Sequence, residues 1–135
     1  PNNNLTFIFF IFLEVGHGAA NIPNVDELIA VDMGCIGNDL SCTEEMVSIC
    51  AKDSSGPYDY DLTSSLISLA KENELKYAID IYPFYGSDAS AALRGGNDIK
   101  CALIGAGIAA SHGMERTHLN GIYNTYKLIL AYINK

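Results

Sequence analysis

The sequence is poor in basic residues: eight Lys and Arg stand against sixteen Asp and Glu, giving a formal net charge of −8. A nucleic-acid partner requires clustered Lys and Arg that neutralise phosphates, and here the few basic residues are scattered. The composition therefore argues against a nucleic-acid partner. An acidic balance suits cationic substrates or metal ions, although it says nothing about the fold.

Apolar runs long enough to cross a membrane are also missing. The apolar stretch Leu5–Leu13 has nine residues, whereas a membrane span needs about 20. The residues before it lack the positive charge of a signal peptide, so we predict neither a membrane partner nor a leader. Because the stretch does not alternate, we interpret it as a strand buried on both faces of a sheet. A chain that begins with such a strand is expected to lack the N-terminal part of its domain.

Closely spaced cysteine pairs are absent. The four cysteines, at positions 35, 42, 50 and 101, do not show the short paired spacing of zinc ribbons. Cys50 and Cys101 lie in apolar, strand-like runs, so we predict reduced core thiols in a cytoplasmic protein. Cys35 and Cys42 flank a loop and would pair only in an oxidising compartment.

Strands alternate with helices along the chain, which predicts an α/β fold. We expect one domain, residues 1–135, with three α/β/α layers around a mixed, mostly parallel sheet. A helix capped by Asp59 or Asp61 runs to Glu74, and a short helix covers Ala89–Arg94. The predicted strands are Leu5–Leu13, Glu27–Asp32, Glu45–Lys52, Lys76–Tyr82 and Ile99–Ile104. The last helix carries a stripe that we predict to be core: Leu119, Ile122, Tyr126, Ile129, Leu130 and Ile133.

The segment Ser111–His118 holds two of the three histidines. Imidazole is the commonest protein metal ligand and a common general base. Two carboxylates, Glu14 and Asp32, follow predicted strands and would be held rigidly at the sheet edge. One His with two carboxylates is a mixed nitrogen and oxygen set that zinc, manganese or cobalt accepts.

The two histidines of this segment are expected to do different jobs. If Ser111–His118 were helical, His118 would lie roughly 120° around the helix axis from His112. One imidazole would then bind metal while the other packs or orients a neighbour. His17, between two glycines, is a further candidate ligand, although such a residue is more often an exposed loop histidine.

Two other motifs are weaker. Gly105-x-Gly107-x-x-Ala110 follows a strand as a dinucleotide fingerprint does, but the position 20 residues beyond Gly107 holds Lys127 rather than an acid. We therefore do not expect nucleotide binding. Ser87 and Asp88 open a short helix, where they either line a ligand site or simply cap the helix.

Several blocks taken together resemble the deblocking and glutamyl aminopeptidases, which are cytosolic dinuclear metallopeptidases related to the tetrahedral aminopeptidases. The resemblance implies removal of N-terminal residues from short peptides by two divalent ions, zinc or cobalt. It implies Glu14, Asp32 and His112 as metal ligands, with His118 as the less favoured histidine, and Ser87 and Asp88 beside the substrate. The matching blocks are Glu14–Gly18, Ala30–Gly34, Ser48–Pro57, Asp80–Ala92, Ile104–Gly107, Ser111–His112 and Glu115–His118.

The chain also departs from the family pattern. Leu13 occupies the position of the general-base Glu, and the family's early His ligand, its bridging Asp and the insert that builds its homo-oligomers would all precede Pro1. We therefore expect the C-terminal portion of a metallo-aminopeptidase catalytic domain that holds at most one ion weakly and is inactive alone. The alternative is a catalytically inactive α/β module that binds peptide termini or a partner chain.

Overall fold

The computed structural model describes residues 4–11 and 18–135, and its centre is a six-stranded mixed sheet. A short 3-10 helix at Gly18–Ala20 precedes the sheet. The strands are β1 Glu27–Val31, β2 Gly34–Cys35, β3 Val47–Asp53, β4 Gly56–Pro57, β5 Tyr77–Ile81 and β6 Lys100–Ile108, and the helices are α1 Tyr60–Glu72, α2 Asp88–Arg94 and α3 Leu119–Ile133.

Strand β6 lies between β1 and β3 and gives the sheet its mixed character. β6 runs parallel to β1 and β2 but antiparallel to β3, whereas β5 is parallel to β3 on the other side. Val31, Ile104 and Ile49 lie side by side across the three long strands. The predicted mixed, mostly parallel sheet is confirmed.

Side chains of β6 alternate between two apolar clusters, so both faces of the sheet are covered. Ala102 and Ile104 pack with Leu66 of α1 and Leu128 of α3. The opposite cluster contains Cys101 and Leu103 of β6 and Ala89 of α2, together with Tyr58, Tyr82 and Tyr85. These two layers of helices on one sheet confirm the three-layer architecture.

The helix termini follow the predicted capping chemistry. The Asp59 carboxylate accepts the Leu62 N–H at 2.8 Å, so Asp59 rather than Asp61 caps α1. Ser87 and Ser90 form a reciprocal capping box, and α2 therefore begins at Asp88 instead of Ala89. No helix in the described part of the chain is long and apolar enough to cross a membrane.

The prediction of a buried strand at Leu5–Leu13 is wrong for its described part. Residues 4–11 form no strand, and Phe7, Phe9 and Ile11 are 68%, 92% and 88% exposed. Phe10 packs beside Ala91 and its neighbours in α2. Apolar side chains favour burial, but a strand also requires backbone hydrogen bonds to a neighbouring strand. Residues 4–11 form no such pairing with the sheet. Residues 12 and 13 lie outside the described ranges.

The predicted core face of α3 is also wrong in its first half. Leu119, Ile122 and Tyr126 are exposed, whereas Gly121 and Asn124 are buried. Polar contacts set the rotation of the helix: the Asn124 side chain donates to the Glu45 carbonyl at 2.9 Å and accepts the Lys76 N–H at 3.3 Å. A Cβ at Gly121 would stand 2.3 Å from the Glu44 carbonyl oxygen, so only glycine permits this approach.

Candidate functional site

Asp32 directly follows β1 and is held against β6. Its backbone N–H donates to the Ile104 carbonyl at 3.0 Å, and its Oδ1 accepts the Met33 N–H at 2.7 Å. A Cβ at Gly105 would stand 1.5 Å from the Asp32 carbonyl oxygen. The glycine therefore lets the chain after β1 lie directly against β6 and fixes where the half-buried Asp32 side chain starts.

The structure also accounts for the two glycines of the Gly105-x-Gly107-x-x-Ala110 motif. Both glycines lie inside β6, which continues to Ile108 instead of ending at Ile104. A Cβ at Gly107 would stand 2.1 Å from the Thr43 carbonyl oxygen. The two glycines serve close backbone contacts within the sheet, so the dinucleotide fingerprint has no structural basis here.

The residues after β6 form a tight loop that carries His112. An antiparallel bridge joins Ala109 to Arg116 through two N–H···O bonds of 2.9 and 3.1 Å. Ala110 and His112 both adopt left-handed backbone conformations, with φ of 57° and 62°. Left-handed residues other than glycine are uncommon and persist where surrounding contacts hold them.

Ser111 joins the His112 loop to the residues after β1. Its hydroxyl lies 2.8 Å from Met33 Sδ and 3.1 Å from His112 Nδ1. Since Met33 follows Asp32 and Ser111 precedes His112, the structure brings the loops of these two predicted ligands into contact. The imidazole itself is exposed.

His118 has a different position and role. It caps α3, with its Nδ1 accepting the Asn120 N–H at 3.1 Å. Glu14, His17 and Leu13 lie outside the described residues. Within residues 4–11 and 18–135, no three His, Cys, Asp or Glu side chains form a group able to hold a metal ion.

Asp88 and Tyr85 place two buried polar atoms near Asp32. Asp88 is only 8% exposed, and its Oδ1 has no hydrogen-bond partner among the described residues. Burial raises the pKa of Asp88, and the nearby Asp32 carboxylate raises it further. The pKa of Tyr85 is raised chiefly by burial and then by Asp32.

Ser87 is part of a closed hydrogen-bond network on the same face of the sheet. Its Oγ accepts the Ser90 N–H at 3.3 Å and lies 2.7 Å from the Tyr58 hydroxyl. Tyr58 in turn donates to the buried Asp53 carboxylate at 2.8 Å. The Ser87 side chain thus forms its hydrogen bonds within the protein, where they stabilise the loop before α2.

All four cysteines are free thiols in the structure. Burial raises the pKa of Cys42 and of Cys101 to about 11, and that of Cys50 to about 12. These thiols are therefore protonated and unreactive near neutral pH.

The sequence reasoning assigned no individual role to Tyr85, Ser111 or Glu115, although Ser111 and Glu115 lie in the histidine segment that it singled out. In the structure, Glu115 Oε1 accepts the backbone N–H of His112 at 2.9 Å. Tyr85 immediately precedes the Gly86–Asp88 loop and could have been found by asking which aromatic residue would cover that loop. Nothing in the sequence indicated that the Ser111 hydroxyl would meet Met33, because that contact joins residues 78 positions apart.

A comparison with protein families identifies the family of the chain. The model of the M42 glutamyl aminopeptidases matches residues 1–128. The chain belongs to the M42 glutamyl aminopeptidase family. The resemblance noted in the sequence is thereby confirmed.

The relatives of this M42 chain are considerably longer than the chain itself. It is 51% identical over 122 residues to the Bacillus subtilis (strain 168) protein named "Putative aminopeptidase YhfE", covering 89% of this chain and 35% of that one. It therefore spans about a third of the curated relative's length.

Solved structures share the same fold. The PhTET1-12s structure, a dodecamer, matches with a TM-score of 0.79 and 28% identity over 92% of this chain and 39% of its own. A TET aminopeptidase from a Thaumarchaeota archaeon matches with a TM-score of 0.76 at 14% identity, over 89% of this chain and 36% of its own. The second similarity concerns the fold alone.

Proposed function

We propose that this M42 chain supplies part of the active site of a metal-dependent aminopeptidase that removes N-terminal residues from peptides. The observation that carries the proposal is the contact between two loops, one bearing Asp32 and the other His112, beside the buried Asp88 carboxylate. Carboxylate and imidazole together are the donors of open, hydrolytic metal sites.

Asp32 and His112 fit a divalent ion. The Met33 N–H holds Asp32 Oδ1, so Oδ2 is the oxygen that we assign to the metal. Met33 Sδ can only accept, so the Ser111 hydroxyl donates to it and accepts from His112 Nδ1. We assign the His112 imidazole to the same ion, with Ser111 as the neighbour that helps to orient the ring. We assign Glu14 as the third ligand from the family pattern, with zinc or cobalt as the ion.

The bound ion would polarise the scissile carbonyl group and activate water. Around it, Asp88 is the residue that we assign to the substrate, because its buried Oδ1 can accept a hydrogen bond from the peptide's terminal amino group. Ser87, already engaged with Tyr58 and Ser90, would hold this loop in place. Peptide is the expected partner, and the cytoplasm is the expected compartment.

This chain alone is expected to have negligible peptidase activity. Leu13 stands where the family pattern places the general base, and an alkyl side chain can neither accept a proton nor orient water. Leu13→Glu is not expected to restore turnover of an aminoacyl chromogenic substrate by this chain, because the assigned ligands hold one ion at most and the family pattern uses two. Homo-oligomerisation is expected by analogy with the PhTET1-12s dodecamer.

Calorimetric titration with zinc and manganese tests the metal assignment. We expect weak uptake of one ion that Asp32→Ala and His112→Ala each abolish. Asp98→Ala, which removes an exposed acid elsewhere, and His118→Asn, which retains a capping side chain, should leave it unchanged. Uptake that survives both ligand substitutions would contradict the assignment, and no uptake at all would favour the inactive binding module.

A further inference from the structure

The backbone of His112 adopts a conformation that its own chemistry does not favour. Its φ of 62° lies in the left-handed region, where an L side chain crowds the following carbonyl. Ala110, two residues earlier, has a φ of 57°. These are two of only three left-handed residues other than glycine among the described residues. Such a concentration requires contacts that hold the loop.

The base of the loop is fixed by contacts outside it. The Arg116 Nε donates to Glu44 Oε1 at 3.1 Å, and the Thr117 hydroxyl donates to the Gly107 carbonyl at 2.6 Å. These bonds anchor the C-terminal end of the loop to β6 and to the segment before β3. They do not reach His112 itself.

Glu115 provides the contact at the tip. Its Oε1 accepts the backbone N–H of His112 at 2.9 Å, which closes the loop across three residues. A charge-assisted bond of this kind is stronger than a neutral one. It holds the peptide plane before His112, and the imidazole extends from the Cα that this plane orients.

We propose that Glu115 is a positioning residue that fixes the backbone of His112 and thereby aims its imidazole at the metal. The inference rests on the proposed function, in which His112 binds an ion. Glu115 acts through the His112 N–H and makes no contact with the ion. Outer contacts of this type typically change metal affinity about 10–100-fold when they are removed.

The first measurement concerns the loop alone. Amide hydrogen exchange, followed by NMR, should show the His112 N–H exchanging at least about 10-fold faster in Glu115→Ala than in the wild type, because its acceptor is lost. Glu115→Gln retains an acceptor oxygen and should restore most of the protection. Glu72→Ala, which removes an exposed acid at the end of α1, is the matched control and should leave the rate unchanged. Circular dichroism establishes that each variant is folded.

The second measurement concerns the metal. In zinc titrations we expect Glu115→Ala to bind about 10–100-fold more weakly and Glu115→Gln to bind nearly as the wild type does. If Glu115 were itself a charged ligand, Glu115→Gln would fail as Glu115→Ala does, which would overturn the positioning role. Wild-type affinity and wild-type exchange in Glu115→Ala would overturn it as well. Failure of the wild-type chain to bind zinc would overturn both the proposed function and this inference. If the wild-type chain binds zinc and Glu115→Ala binds it equally well, only the inference is overturned.

Discussion

Replacing Gly105 by alanine should unfold the edge of the sheet at Asp32. The new Cβ would stand 1.5 Å from the Asp32 carbonyl oxygen and 2.6 Å from its carbonyl carbon. Both atoms belong to the backbone, so no side chain can rotate to relieve the clash. The strands must separate, and the 3.0 Å bond from the Asp32 N–H to the Ile104 carbonyl must lengthen or break.

The expected cost combines two effects. Forced overpacking in a well-packed interior costs about 1–3 kcal/mol, and loss of one backbone hydrogen bond adds about 1 kcal/mol. We therefore expect the free energy of unfolding to fall by about 2–4 kcal/mol. For a chain of this size, that corresponds to a melting temperature lower by roughly 10 °C.

Urea unfolding followed by circular dichroism measures the change directly. Gly37→Ala is the matched control, since its Cβ would meet only the Leu40 side chain, at the ordinary distance of 3.7 Å. Zinc titration of Gly105→Ala should also show weakened uptake, because Asp32 moves with the strand end. An unfolding free energy within about 0.5 kcal/mol of the wild type would refute the argument that the Asp32 carbonyl excludes a side chain at position 105.

Two further perturbations test the hydrogen bond from Tyr58 to the buried Asp53 carboxylate and the buried Cys42 thiol. Tyr58→Phe leaves the buried Asp53 Oδ2 without the hydroxyl that donates to it and should cost about 1–3 kcal/mol in urea unfolding, while Tyr60→Phe at an 81% exposed position should cost nothing measurable. Burial raises the pKa of Cys42 to about 11, above the value of about 8.5 for a free thiol. The stabilisation is fully present below the unfolded value and is lost as pH rises through the folded one, so stability should decline between about pH 8.5 and 11. Cys42→Ala should flatten this decline, and an unchanged slope in that variant would contradict the prediction.

Periodicity and capping were sufficient to predict the elements whose neighbours are close in sequence. α1 was predictable because Leu62 and Leu66 recur at helical spacing and Asp59 can cap. β3 and β5 were predictable from their apolar content and flanking turns. The position of Asp32 at the end of β1 followed from the same reasoning.

The remaining errors share a physical cause. The extension of β6 to Ile108 depends on Asp32 and Thr43, whose backbones meet its glycines from distant parts of the chain. The rotation of α3 depends on Asn124 bonding to Glu45. The spacing of hydrophobic residues identifies the apolar face of a helix. It does not identify a polar contact that rotates this face away from the core.

The position of β6 between β1 and β3 has a consequence for the order of folding. β3, β4, α1 and β5 are consecutive and can form a local unit early, whereas Glu27 of β1 pairs with Lys100 of β6, far along the chain. Closing so long a loop is entropically slow, so β1 should be the last long strand to dock. On the ribosome, β1 would remain without a partner until β6 has emerged, and a nascent chain that stalls before that point would expose an unfinished sheet to aggregation.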